Sequence, residues 1–184
     1  MNLLDSVNNI LPYLGENPVT SLDIRHPTVA LIIDNIDQQI DLLLGKGWWF
    51  NERTATLYPS SEGDMPAPKN AVAVYNLDGR VTEMRNDRMY DLDEGSYYFT
   101  APIQLRIIDR LTFDELPEYA KQVVQARAAM AVYIKEFGVE SAVEEIQKQE
   151  TTAMNLLTQE HIRKRKFNSL KNHRAARFMN ALRS

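Results

Sequence analysis

The hydrophobic period of this chain changes twice, and the change limits what it can fold into. Up to Gly45 the apolar residues recur every three or four positions, as one face of a helix requires. Between residues 48 and 111 they give way to short alternating runs separated by Gly, Pro, Asp and Ser, and from 112 onward the helical period returns. A segment written with one period buries its apolar face poorly in the other element. The pattern therefore predicts an α+β fold. A helical bundle is expected from 1–47 and 112–160, with a small antiparallel β lobe, 48–111, inserted between the second and third helices.

Local signals sharpen this outline. Leu3, Leu4, Val7, Ile10, Leu11 and Leu14 mark a first helix, which Pro12 bends or shortens and Gly15 stops. ENPVTSLD reads as a turn. Pro27 presets φ for a second helix, whose stripe is Val29, Ile32, Ile33, Ile36, Ile40, Leu43 and Leu44. Asp34, Asp37, Gln38 and Asp41 face away from that stripe. In the middle, 48–58 reads as a strand, AVAVYNL and RVTEMR flank the hairpin signal Asp78-Gly79, and MYDLD and SYYF read as short strands. Ile103, Leu105 and Ile107 share one face of a half-buried strand. Thr112 and Glu115 have capping-box spacing, Pro117 suits a first turn, and the helix that follows ends at Gly138. From Glu140 to about Phe178 there is no Pro or Gly, so a rod of roughly 50–60 Å is expected, its far end projecting from the body.

The sequence has no cysteine, which excludes disulfides and thiolate chemistry, and no apolar run of membrane-spanning length. The opening MNLLDSVNNILPYLGE has neither a basic n-region nor a small-residue cleavage site and is not read as a signal peptide. No nucleotide-binding, hydrolase or zinc-protease motif is present, so no catalytic residue, cofactor or metal is expected. His26 precedes a proline at a helix start, where a capping or exposed role is expected, and His161 and His173 lie too far apart for a helical metal pair. Asp91-Leu92-Asp93-Glu94-Gly95 lacks the spacing of a calcium loop and reads as a solvated turn.

Charge is the strongest remaining signal. All 25 acidic residues precede residue 161, against 13 Lys and Arg, for a net −12. Residues 161–184 hold the other eight Lys and Arg and no acid, for a net +8. HIRKRKFNSLKNHRAARF interleaves Arg163, Lys164, Arg165, Lys166, Lys171, Arg174 and Arg177 with Phe167, Leu170 and Phe178. Three uses suit such a basic helix, 161–184: docking on an acidic partner such as another copy's body, contact with nucleic acid, or a plain solvated surface.

The order and spacing of several landmarks resemble a known family. SVNNILPYLGENPVTSL, the isoleucine-rich helix after it, GKGWWFN at the helix end, and FDELPE heading the next long helix are similar to tail tubular protein A of short-tailed podophages, the tail adaptor or gatekeeper. The resemblance covers 6–51 well, 103–137 moderately and the rest poorly. It implies a virion structural protein, not an enzyme: a ring, typically of twelve copies, between the portal protein and the tail nozzle (tubular protein B), with possible tail-fibre contacts. DNA would pass the lumen without specific binding, and Asp91, Asp93 and Glu94 are lumen candidates. The basic helix would run along the portal or an adjacent subunit. Trp48 and Trp49 would lie both in the core, one in the core and one at an interface, or in a ligand pocket; a strand would point them to opposite faces. The rival readings are a tail-associated cell-wall hydrolase and a nucleic-acid-binding module using the basic helix.

Overall fold

The computed structural model describes residues 1–165; residues 166–184 lie outside the description. The chain folds as α1 (Leu3–Ile10), a 3₁₀ turn (Leu11–Leu14), α2 (Pro27–Leu44), β1 (Glu52–Leu57), β2 (Ala71–Asn76), β3 (Thr82–Arg85), β4 (Arg88–Asp91), β5 (Ile103–Asp109), a second 3₁₀ turn (Phe113–Glu115), α3 (Glu118–Phe137) and α4 (Ser141–Lys164). This is an α+β fold with a small antiparallel lobe between the second and third long helical segments. Proline and glycine act where their chemistry demands. Pro12 ends α1 by forcing the tighter turn, and Gly15 closes that turn in the left-handed region at φ 74°. The Thr112–Glu115 capping box forms, with the Thr112 N–H and hydroxyl both donating to the Glu115 carboxylate at 2.8 Å.

Two apolar clusters result. The bundle core joins Val7 and Ile10 of α1, the α2 stripe, the small face of α3 around Ala120, Val124 and Ala128, and Ile146 and Leu157 of α4. Ala126, Ala128 and Ala129 of α3 are buried, and α4 packs along the same helix. The lobe core is smaller: Met65, Met89, Phe99, Ile103, Leu105 and Ile107. β5 is the central strand of a sheet ordered β1–β5–β2, both neighbours antiparallel to it, and its alternate residues supply half of that core.

Several local expectations are corrected. Asp78-Gly79 does not join a paired hairpin, because β2 pairs with β5 and β3 pairs with β4. The two-residue hairpin turn is Asn86-Asp87, with φ 50° and 59°, the left-handed pair that matches strand twist. SYYF is not a strand; Ser96 makes only an isolated bridge to Asp91. Residues 48–50 form a turn, and β1 starts at Glu52. The expected long C-terminal helix is present: over the described residues α4 runs 24 residues, about 36 Å, along α3. The expected continuation toward Phe178 lies outside the described residues.

The left-handed turn makes a prediction. Asp87→Val should lower stability by about 1–2 kcal/mol, because a β-branched residue resists positive φ. Asp87→Gly should be neutral or stabilising. Thermal denaturation of the pair measures the difference.

Candidate functional site

The turn that carries the chain from α2 into the lobe sets three consecutive aromatic side chains, Trp48, Trp49 and Phe50, against the bundle core. Gly47 makes it possible. Its φ is 72°, and a Cβ there would come within 2.8 Å of Ile108 Cδ1. Trp48 then folds back over the end of α2: it is 6% exposed, and its indole N–H donates to the Leu43 carbonyl at 2.8 Å. Asn51 ties the turn together. Its Oδ1 accepts from the Trp48 N–H at 2.8 Å, and its Nδ2 donates to the carbonyls of Leu44 at 3.2 Å and Asp109 at 2.9 Å. The Asn51 carbonyl accepts from the Asp109 N–H at 2.8 Å.

α4 closes onto this turn at its last residues. The Trp49 N–H donates to His161 Nδ1 at 3.3 Å, which requires a neutral ring with its proton on Nε2. The His161 ring meets Trp48 edge-on at 5.2 Å and lies 6.0 Å from Trp49. Trp49 in turn stands edge-on to Phe50 at 4.9 Å. Burial, reinforced by the nearby Arg165 cation and opposed by Glu52, pulls the His161 pKa below its ordinary 6.5. Arg165 forms an ion pair with Glu52 at the start of β1. The helix end, the tryptophan turn and the lobe are thereby joined.

The residues singled out from sequence fall as follows. Trp48 is core; Trp49 is half-buried and packs on the same cluster, and because both sit in a turn they do not point to opposite faces. Arg163 and Lys164 are exposed and share one carboxylate, Glu160, at 3.7 and 3.8 Å. Lys166, Phe167, Leu170, Lys171, Arg174, Arg177 and Phe178 lie outside the described residues. Asp91 is 1% exposed and holds its own loop, its Oδ1 accepting from the N–H groups of Asp93 and Glu94 at 2.9 and 3.1 Å. It therefore presents no carboxylate to a lumen in the protomer. Asp93 is exposed and accepts from the Val81 N–H, and Glu94 is exposed. His26 occupies the residue before α2 with no side-chain cap, exposed and 3.7 Å from Glu16.

Sequence reading missed the part played by His161, Glu52 and Asn51. A signal for the first existed. The buried stripe of α4 runs Val143, Ile146, Ala153 and Leu157, and one more step of four reaches His161. No such pattern marks Asn51, whose partners lie in three different elements.

The family profile described as tail tubular protein matches residues 4–167 of this chain. Tail tubular protein A of Klebsiella phage KP34 is 30% identical, over 97% of this chain and 100% of its own length. Both similarities run from α1 through the lobe to the end of α4.

A pH dependence follows from the neutral His161. The unfolded chain binds its imidazole proton more tightly than the folded one, so folding stability falls as pH drops below 6.5 through the lower folded value. Between pH 7 and pH 5 the melting temperature of His161→Gln should fall less than that of the parent chain, measured by circular dichroism. Equal losses would show that His161 plays no part in the pH response.

Proposed function

The chain belongs to the tail tubular protein family and is a component of the phage virion tail, and on that premise we propose that it is a head-to-tail adaptor. Copies of it form a ring, of twelve as in the family the sequence resembles, between portal protein and tail nozzle. The DNA channel continues through the ring. The observation that carries this reading is the span of the similarity, which takes in bundle, lobe and α4 together and does not rest on one segment.

The chemistry is consistent with assembly work. Ring closure lets many modest contacts add up without any one of them being strong. Trp49, half-buried beside His161, is the aromatic placed to gain a neighbour; Trp48 is already spent on the core. The cations of 166–178 fit an acidic portal surface, with Phe167, Leu170 and Phe178 as apolar anchors. Asp93 and Glu94 are exposed carboxylates suited to a lumen that DNA passes without sticking. Tail fibres are a further partner on this reading.

The test is capture of purified portal protein by the full-length chain, followed by native mass spectrometry and negative-stain imaging. Ring-shaped complexes with portal are expected, and replacing Lys166, Lys171, Arg174 and Arg177 by Gln should reduce capture at least tenfold. Absence of capture, together with DNA binding that falls steeply with salt or with clearing of cell wall, would replace the adaptor by one of its rivals.

The two tryptophans should separate in the same assay. Trp48→Ala should cost about 3–5 kcal/mol of fold stability. Trp49→Ala should leave a folded monomer with weakened assembly, read by comparing urea denaturation with ring yield.

A further inference from the structure

The two ends of α4 carry opposite chemistry. At the α3–α4 turn Ile134, Phe137 and Val139 are exposed, Val139 at 83%. Glu136, Glu140 and Glu144 of the same stretch are exposed too, Glu140 accepting from the Tyr133 hydroxyl at 2.8 Å. The cation within this turn, Lys135, is drawn away to Asn35 Oδ1 at 2.9 Å, so the turn presents apolar surface rimmed by carboxylates. At the other end Ile162 is 51% exposed beside Arg163 and Lys164. Those two cations share the single carboxylate of Glu160, which leaves positive charge in excess.

We propose that neighbouring copies associate head to tail, with the acidic, apolar α3–α4 turn of one copy seated on the basic, apolar end of α4 of the next. The inference rests on the ring reading above and names the contact that closes it. Charge selects the occupant. Two α3–α4 turns facing each other would oppose glutamates, and two α4 ends would oppose cations, so both self-pairings are disfavoured where the mixed pairing is attractive. The apolar side chains at each centre add desolvation to that attraction. One chain cannot satisfy itself, because about 35 Å of helix separates Val139 from Ile162. A heterologous contact of this kind repeats from copy to copy and yields a ring when its rotation closes.

The lack of native cysteine gives a clean test. Val139→Cys and Ile162→Cys, placed together in the full-length chain assembled on portal and then oxidised, should give a covalent ladder of oligomers on a non-reducing gel. Either substitution alone should give no ladder. An internal disulfide is ruled out by the distance, since bonded cysteines need Cα atoms about 4.4–6.8 Å apart. Independently, Glu136→Lys with Glu144→Lys should weaken assembly at least tenfold, and so should Arg163→Glu with Lys164→Glu. All four changes in one chain should restore most of it. Normal rings by negative stain with no ladder, and assembly indifferent to the charge reversals, would place the contact elsewhere and overturn this inference while leaving the ring standing. Failure of the parent chain to form any ring with portal would overturn both.

Discussion

One buried amide holds the molecule's two halves in register. Asn51 sits where α2 has ended and β1 has not begun, and its side chain satisfies one donor and two acceptors from three separate stretches of backbone: the Trp48 turn, the end of α2 and the end of β5. Two of those bonds are buried and the third partly so. A buried polar group without a partner costs about 1–3 kcal/mol, so the geometry of the turn is strongly determined. The lobe hangs from this point. β5 returns to it through Asp109, and the two lobe strands that flank β5 take their positions from that return.

The same turn also determines where the basic end of the chain begins. Because Trp48 folds inward, its ring and the Trp49 N–H both meet half-buried His161 near the end of α4, and a neutral imidazole fits both. Arg165 then reaches Glu52 across the junction. Arg163 and Lys164 are therefore presented beside the corner where bundle and lobe meet.

How much of this was legible beforehand can be judged element by element. The α2 stripe, the Thr112–Glu115 box, the Gly138 stop and the alternation in β5 were all readable, because each is a local pattern whose period or cap chemistry admits one answer. The lobe's pairing was not. Asp78-Gly79 has the residues of a hairpin turn, yet β2 finds a longer and more apolar partner in β5, and the shorter β3 closes on β4 through Asn86-Asp87. Pairing depends on which strand buries more against Met65, Met89 and Phe99, and that is a non-local quantity. The start of β1 was not legible for the same reason. A strand was read through 48–58, but Gly47 at positive φ and the Asn51 bonds make a turn first.

By itself the sequence determined the class of fold and the separation of an acidic stretch, 1–160, from a basic one, 161–184, since period, capping and charge are properties of neighbouring residues. Only the tertiary structure decided that His161 is a packing residue and not one more polar position in a basic helix, and that Asp91 is a buried turn-former and not a surface carboxylate. It also decided that Ile134, Phe137 and Val139 lie uncovered at the opposite end of α4 from the cations. Burial is set by what the rest of the chain places alongside a residue, and those neighbours can be remote in the sequence, as Trp49 and His161 are at 112 positions apart.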